Sequence, residues 1–431
     1  MGFERLIARR LSQSSKGNFS SLILKIAIAS IALSMAVMII TTTVITGFKN
    51  GVTSKVLDFW GHIHITDGNV GNSFEIIPIE KDTLLINSIE AIDQITYKRP
   101  PTIVEGPIVP KVETSIGGVN RVETYTIVPA IISSQNSFEG VLLKGFESDY
   151  DRSDIDKYVK SGSFIQFHSN KGSRDIVLSE QIAQRMSFGI GDAMIVSFII
   201  DGESFKRKFT ISGIYRTGLE EYDRRFALVD ARTLQEVLGW SPSEVSGLEV
   251  YIDDIKDLRL LNEYIYFEQL PRNLYSESIQ RKFYQIFEWL ELQNINEDVL
   301  IMLMILVAII NMITAVLIFV LENTHTIGLL KSIGAKNWSI RRIFLYNAGE
   351  IIIKGMLIGN ALAFVICFVQ LKTGFMKLSE KEYYLDTVPI EFNWSMILLI
   401  NIGTILITLA FLILPTVIVT RIDPVKALRF S

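Results

Sequence analysis

Two histidines have a type and spacing that could bind a metal ion. His62 and His64 stand at positions i and i+2, so both side chains would lie on one face of a β-strand. A structural zinc site takes four ligands, mostly histidine and cysteine. No cysteine and no nearby third histidine completes such a set, and we therefore predict that the chain holds no metal.

The candidates for catalysis are equally incomplete. The paired carboxylates Glu220-Glu221 and Asp253-Asp254 are most simply interpreted as solvated turn residues. The 431 residues contain no G-x-x-x-x-G-K-[ST] phosphate-binding loop, no H-E-x-x-H and no G-x-S-x-G. The single cysteine, Cys367, cannot form an intramolecular disulfide. We therefore predict a protein that is not an enzyme and has no catalytic residues of its own.

The composition instead indicates a membrane protein with a large water-exposed part. Of the residues, 49% are hydrophobic and 20% are charged, the mean hydropathy is +0.33 and the formal charge is −4. So many charges exclude a chain that lies wholly in lipid, and so apolar an average is unusual for a soluble protein. The near-neutral balance excludes the basic surface of a nucleic-acid-binding protein.

Four apolar blocks are long enough to cross a membrane. The first, Leu22 to Thr46, carries only Lys25 as a charge, and this side chain can reach the interface. A signal peptide is the alternative, but its apolar region would be only about 7–15 residues long and would precede a cleavage site. The other predicted spans are 299–321, 343–371 and 394–420.

The charges beside these blocks decide the orientation, because lysine and arginine accumulate in cytoplasmic loops. Undiluted basic residues precede the first block, separate the second from the third, and follow the fourth. We therefore predict that both termini are cytoplasmic. The cytoplasmic segments are then 1–21, 322–342 and 421–431, and the outside segments are 47–298 and the short loop 372–393.

The segment 47–298 has the pattern of an α+β domain. Strands are predicted at Ile63–Thr66 and Thr124–Val128, and a hairpin over Ala193–Ile200, the turn Asp201–Ser204 and Phe205–Ile214. Helical periodicity occurs at Ser179–Met186, Thr233–Leu238 and Tyr275–Leu292. The predicted fold class is an α-helical membrane domain of four transmembrane helices plus a large α+β extracytoplasmic domain inserted between helices 1 and 2.

Several polar and small residues lie inside the predicted spans. Glu350 and Lys354 are four residues apart with the acid first, the favourable order for an ion pair on a helix, and a proton relay is the alternative role. Gly355 and Gly359 form a G-x-x-x-G that suits close helix packing. We expect Asn311 to hydrogen-bond a neighbouring helix.

A short amphipathic helix is predicted after the second span. Ile327, Leu330 and Ile333 recur at helical spacing, and Gly334 is placed to end the helix in a left-handed conformation. Two interpretations stay open: a helix that lies on the lipid surface, and a coupling helix that fits a groove on a cytoplasmic ATPase.

These motifs resemble those of the ABC permease superfamily that includes lipoprotein-releasing permeases, MacB exporters and FtsX. The stretch from Leu321 to Phe344, LENTHTIGLLKSIGAKNWSIRRIF, is similar to its short cytoplasmic segment, and Arg421 to Arg429 is similar to its C-terminal signature. The segments Val44–Gly51, Gly61–Ile65 and Asn311–Thr314 resemble the LolC/LolE lipoprotein-releasing type. The resemblance covers the whole chain in order and is densest in the membrane segments.

The resemblance implies a permease of the bacterial inner membrane with a MacB-like periplasmic core domain at 47–298. A separate dimeric ABC ATPase would bind ATP and Mg²⁺, so this chain needs no cofactor, and a second permease copy or a paralogue would complete the complex. ATP-driven closure would rock the spans and the outside domain, a process called mechanotransmission. In the lipoprotein branch, cargo is extracted from the outer leaflet and passed to a periplasmic carrier.

The resemblance also implies two functional surfaces. The ATPase-coupling residues would be Glu322, Thr326, Ile327, Leu330, Lys331, Ile333, Gly334 and Lys336. A buried acyl CH₂ is worth about 0.8 kcal/mol, so a lipoprotein cavity has to be apolar and is expected at the outer ends of spans 1 and 2. Its residues would be Val37, Met38, Ile40, Val44, Ile45, Phe48, Leu300, Leu303 and Met304. The alternative is that these side chains face lipid or pack together.

One departure from the family concerns the carrier. The branch that captures it has a long, proline-containing hairpin loop where this chain has the short turn Asp201–Ser204, so capture could fall to a partner permease or be absent. Two other functions stay open: a MacB-like exporter of a toxin, drug or peptide, and an FtsX-like regulator of cell-wall hydrolases. The exporters carry a fused ATPase, and FtsX-like proteins have a much smaller outside domain than segment 47–298.

Overall fold

Two compact units make up the part of the chain that the computed structural model describes, residues 19–69, 77–98, 112–134, 137–168, 171–200 and 202–416. The helical unit takes the described parts of Met1–Gly51, Trp289–Leu378 and Thr387–Ser431. The β unit takes those of Val52–Glu288 and Ser379–Asp386. Outside the described residues lie 1–18 of the predicted N-terminal segment, 417–420 of span 4, and the whole C-terminal segment 421–431 with its signature.

The α-helices in the described ranges are between 4 and 42 residues long. They are α1 (Phe19–Trp60), α2 (Thr83–Glu90), α3 (Ser153–Asp156), α4 (Glu180–Met186), α5 (Glu220–Arg225), α6 (Ala231–Leu238), α7 (Leu258–Tyr264), α8 (Ile279–Lys282), α9 (Tyr284–Glu322), α10 (Thr324–Ser332), α11 (Asn337–Thr373), α12 (Glu380–Tyr383) and α13 (Trp394–Thr416).

Four of these helices are long and apolar enough to cross a membrane, which makes the chain a multi-pass membrane protein. The qualifying segments are Leu24–Trp60, Tyr284–Ile318, Asn337–Thr373 and Trp394–Leu412. Each overlaps one predicted span. Helix α1 continues to Trp60 and α9 begins at Tyr284, well beyond the predicted limits of spans 1 and 2.

A shared apolar core holds the helical unit together. Met35 and Ile39 of α1, Met312 of α9, Ile352 of α11 and Leu412 of α13 are all buried in it. Because lipid is as apolar as these side chains, close packing rather than removal from water stabilises such a core.

The β unit is built on fourteen described strands. They are β1 (Ile63–Asp67), β2 (Ile79–Glu80), β3 (Thr96–Lys98), β4 (Val112–Thr114), β5 (Val119–Ser133), β6 (Phe138–Phe146), β7 (Val159–Gly162), β8 (Asp175–Ser179), β9 (Ala193–Ile200), β10 (Glu203–Tyr215), β11 (Phe226–Asp230), β12 (Glu244–Val245), β13 (Gly247–Ile252) and β14 (Leu274–Ser278).

Six of these strands close into a ring. The main sheet has the order β14-β1-β13-β5-β6-β11-β8-β10-β7. Strand β9 pairs with both β10 and β5, so it closes the strands β5, β6, β11, β8 and β10 into a six-stranded ring. The β6–β11 and β8–β10 pairs are parallel, and the other four pairs of the ring are antiparallel. Side chains alternate along a strand, and Val128, Leu143, Ile176 and Phe198 are buried together in the ring's apolar core.

The predicted hairpin is confirmed. Strands β9 and β10 pair in antiparallel register from Ile200↔Glu203 to Ala193↔Thr210. Gly202 has φ +82°, a value that suits glycine in a tight turn, and Asp201 lies outside the described residues. The strands predicted at Ile63–Thr66 and Thr124–Val128 are also confirmed as parts of β1 and β5.

The helices predicted near Ser179 and Thr233 are confirmed as α4 and α6, and side-chain caps explain where they begin. The Ser179 hydroxyl accepts from the Ile182 amide at 3.1 Å, and the Asp230 carboxylate accepts from the Arg232 amide at 2.9 Å. The four long helices and the α+β unit therefore agree with the predicted class.

The helix predicted over Tyr275–Leu292 is wrong at its start. Leu274–Ser278 is strand β14, which pairs with β1 in the register Ser276↔Ile65. Helix begins only at Ile279 and is interrupted at Phe283, whose φ and ψ are −112° and +43°. Pairing with a distant strand overrides the local helical periodicity here.

Candidate functional site

The two histidines that were considered as a metal pair make hydrogen bonds through their rings. His62 accepts a hydrogen bond from the Ile252 amide at 3.4 Å. His64 is buried, with Nε2 at 2.6 Å from the Trp60 carbonyl and Nδ1 at 2.7 Å from Nζ of Lys282. Burial lowers the pKa of His62 to about 4, and burial together with Lys282 holds the pKa of His64 well below its usual value. Among the described residues, no group of three His, Cys, Asp or Glu side chains is placed to hold a metal ion.

His64 belongs to a buried charge cluster in the β unit, formed by Trp60, His64, Lys144, Glu249 and Lys282. Lys144 and Glu249 are both 0% exposed, and their Nζ and Oε1 atoms are 2.7 Å apart. The Lys144 ammonium lies 4.5 Å from the Trp60 ring centre, and the Lys282 ammonium lies 4.1 Å from it.

The cluster is built around the C-terminus of α1. Lys144 Nζ donates to the carbonyl of Phe59, in the last turn of that helix, at 2.5 Å. A cation is favourable at this end because the helix dipole places partial negative charge there. Gly61 follows with φ +67° and donates its amide to the Leu57 carbonyl at 2.7 Å. Strand β6 thus supplies a buried cap for a helix that begins in the helical unit.

Sequence reasoning missed this cluster because its partners are remote in the chain. Lys144 and Glu249 are 105 positions apart, and Lys282 and His64 are 218 apart. One local signal was available: Lys144 lies between Leu143 and Phe146 in a strand-forming stretch. Because lysine is almost never fully buried unless it is paired, a lysine in this position indicates a buried partner of opposite charge.

The predicted coupling residues divide between a buried and an exposed side of α10. Ile327 and Leu330 are buried in the core of the helical unit, whereas Ile333, the residue directly after α10, is 70% exposed. Leu329, which is not among the predicted residues, is 49% exposed on the same helix. Thr326 and Lys331 are half-buried and Lys336 is exposed; Glu322 is the last residue of α9.

The predicted left-handed end of α10 is confirmed. Gly334 has φ +88° and donates its amide to the Lys331 carbonyl at 3.0 Å. The next amide, of Ala335, donates to the Leu330 carbonyl at 2.9 Å. These two bonds are those of a Schellman motif, which satisfies the last carbonyls of a helix.

The predicted cavity residues do not share one environment. Met38 is buried in the core of the helical unit, and Ile40 and Met304 pack against that core. Leu300 and Leu303 of α9 are exposed. Val37, Val44 and Ile45 are half-buried, and the Phe48 ring packs edge-on against Trp289 at 5.3 Å. The set contains core residues as well as surface ones.

Gly355, Gly359 and Asn311 lie at contacts between helices. A Cβ atom at Gly355 would lie 2.8 Å from Cβ of Ile31, and one at Gly359 would lie 2.5 Å from the carbonyl oxygen of Ala32, so α11 lies directly against α1. The Asn311 amide donates to the Ser30 hydroxyl, which links α9 to α1.

A second polar link, which sequence reasoning missed, joins α11 to α13. Asn360 and Asn401 donate to each other's side-chain oxygens at 2.9 and 3.2 Å.

Glu350 and Lys354 form an ion pair at 2.6 Å, and both side chains are exposed on α11.

Two family models match the chain. The MacB-like periplasmic core domain matches residues 26–265, and the FtsX-like permease C-terminal domain matches residues 299–424.

Curated relatives match nearly the whole length. The lipoprotein-releasing system transmembrane protein LolE of Haemophilus influenzae is 23% identical over 96% of this chain and 95% of its own. Proteins named LolC of the same system are 23% identical in Buchnera aphidicola subsp. Schizaphis graminum, over 92% and 91%, and 21% identical in Neisseria meningitidis serogroup B, over 98% of each chain. Among solved structures, the extracellular domain of the noncanonic ABC-type transporter YknZ from Gram-positive bacteria is 14% identical and covers 50% of this chain and 98% of its own, with a TM-score of 0.29.

Proposed function

The chain belongs to the LolC/LolE type of ABC permease, with a MacB-like periplasmic core domain and an FtsX-like C-terminal domain, and we propose that it is the membrane subunit of a lipoprotein-releasing complex. The observation that carries the proposal is the near full-length similarity to LolE and LolC with both domains in order. The three relatives named above are proteins of lipoprotein-releasing systems, and no observation favours an exporter or a regulator of cell-wall hydrolases.

In this proposal the α+β domain is inserted between helices 1 and 2, lies outside the inner membrane, and both termini are cytoplasmic. The distribution of lysine and arginine supports this orientation. Cysteines introduced at Leu84, an exposed residue of the β unit, and at Ile333 test it in a Cys367→Ser background. An impermeant reagent should label only Leu84→Cys in intact spheroplasts, and labelling of Ile333→Cys instead would reverse the orientation.

A separate ATPase drives the complex and docks on the exposed side of α10. Leu329 and Ile333 present apolar surface there, while Leu330 is committed to the core. Ile333→Asp should therefore abolish co-purification of the ATPase with an intact permease, because a charge forced into an apolar contact is strongly unfavourable. Leu84→Asp, an equal change on the β unit, is the control. Normal co-purification with Ile333→Asp would reduce α10 to a lipid-surface anchor.

The cargo is a lipoprotein that enters beside spans 1 and 2. Leu303 is the sharpest probe, since it is 45% exposed while Met38 is buried. A photo-crosslinker at Leu303 should trap lipoprotein, with a lower yield during ATP turnover. The same group at Leu398, an exposed residue of α13, should trap only phospholipid. Equal products at both positions, unchanged by ATP, would reject this entry site.

A further inference from the structure

The loop between α11 and α13 is closed at its neck, where Met376 and Lys377 lie close to Thr387 and Val388. Gln370 is buried, and its Nε2 donates to the carbonyls of Met376 and Val388 at 3.1 and 3.0 Å. Its Oε1 accepts from the Met376 amide at 2.9 Å. Lys377 and Thr387 form an antiparallel bridge just beyond. One buried glutamine and a short backbone pairing therefore fix the neck on the helical unit.

The tip of the same loop belongs to the β unit. Residues Ser379–Asp386, which include α12, cluster with that unit. The Glu380 carboxylate pairs with Arg216, at the end of β10, and its Oε1 lies 3.7 Å from Nζ of Lys55 in α1. Lys55 also donates to the Tyr384 carbonyl at 2.7 Å. Two cations of the β unit thus hold one acid of the loop.

The β unit has a space beside Gly218 that accommodates the Glu380 carboxylate, and this space is called the seat below. Gly218 has φ +79°, and a Cβ atom there would collide with the Glu380 carboxylate and lie 2.7 Å from Lys55 Nζ. The buried side chain of Asp223 fixes the seat, because it accepts from the amides of Thr217 and Gly218 at 3.0 Å each. The space that a glycine leaves open is the space that Glu380 fills.

We propose that the contacts of Glu380 with Arg216 and Lys55, called the latch below, anchor the loop between α11 and α13 to the β unit. During the ATP-driven cycle, this latch couples α11 and α13 to that unit. The latch itself rests on the contacts alone, and its part in the cycle rests on the proposed function. Arg216 is also paired with Glu180 at 3.0 Å, and both of these side chains are well exposed, so this arm is screened by water and reversible. Glu380 and Lys55 are only 18% and 17% exposed.

Hydrogen exchange on the full-length protein tests the latch directly. Glu380→Gln keeps the side-chain shape and removes its charge. Amide exchange of residues 379–386 should become at least about tenfold faster, because a segment that loses its anchor opens locally. Exchange in β5 and α11 should stay at the wild-type rate. Arg216→Gln should accelerate the same amides, and Glu382→Gln, an exposed acid of the same helix, should not. Unchanged exchange in Glu380→Gln would overturn the latch.

The coupling is tested in liposomes that contain the permease, its ATPase and a lipoprotein. Glu380→Gln should hydrolyse ATP at nearly the wild-type rate while releasing several-fold fewer lipoprotein molecules per ATP. Faster exchange together with unchanged release per ATP would overturn the coupling. If the wild-type complex releases no lipoprotein, the proposed function and the coupling fail together, and the exchange measurement still decides the latch.

Discussion

At the residue scale, the pair of Lys144 and Glu249 brings two opposite charges fully out of water. Burial lowers the pKa of Lys144 and raises that of Glu249, and each charge opposes the shift of the other. Glu249 Oε2 has no hydrogen-bond partner among the described atoms. Such a pair is costly to desolvate, and removing one partner leaves the other as an uncompensated buried charge.

Lys144→Met should therefore lower the free energy of unfolding of the β unit by about 3–5 kcal/mol, and adding Glu249→Leu should restore most of the loss. Thermal unfolding of the detergent-solubilised protein measures both. Lys206→Met removes an exposed lysine of β10 and should change the stability by less than about 0.5 kcal/mol. A double variant as unstable as the single one would show that the charge is not the cause.

Lys282 gives the cluster a defined pH dependence. Burial lowers its pKa from 10.5 to about 7; Glu249 and Glu277 oppose the shift, while Lys144 adds to it. Between these two values the unfolded chain binds a proton that the folded chain does not, so stability rises with pH from about 7 upward. Lys282→Met should flatten the rise of the unfolding midpoint between about pH 7 and pH 9, where this site contributes at most about 1.4 kcal/mol per pH unit. Lys206→Met is the control, and an unchanged slope in Lys282→Met would refute the assignment.

At the element scale, the sequence correctly predicted those features that depend on residues close together in the chain. The hairpin followed from alternating residues around Gly202, and the end of α10 followed from Gly334. Strand β14 could not be predicted in this way, because its partner β1 is about 200 residues away and supplies its hydrogen bonds. The buried charge cluster and the latch at Glu380 share that limit, since distant elements create both.

Helix packing depends on two glycines whose neighbours could not be predicted from the sequence. Gly359→Leu should destabilise the helical unit by about 1–3 kcal/mol, because the new side chain meets the α1 backbone at Ala32. Gly349→Leu is a matched control on the same helix, where a Cβ atom would have nothing within 4 Å. Thermal unfolding in detergent should separate the two variants. Equal melting temperatures would contradict the α1–α11 contact.

At the scale of the whole molecule, the helical unit and the β unit share helices. Helix α1 contributes residues up to Gly51 to the first and from Val52 to the second, and α9 likewise contributes to both. The last turn of α1 is held by the buried charge cluster. Residues 379–386 of the loop between α11 and α13 belong to the β unit, where Glu380 lies 3.7 Å from Lys55. We propose that mechanotransmission in this permease uses the continuous helices α1 and α9 and the latch at Glu380.

The central claim, that this chain releases lipoproteins, is tested most directly by reconstitution. The permease, the ATPase that co-purifies with it and a purified lipoprotein are placed in liposomes, and a soluble lipoprotein carrier is supplied outside. The account predicts that lipoprotein appears in the soluble fraction with ATP and not with a non-hydrolysable analogue, and that the Ile333→Asp permease releases none. Steady ATP hydrolysis by the assembled complex, with all lipoprotein retained in the liposomes, would contradict it.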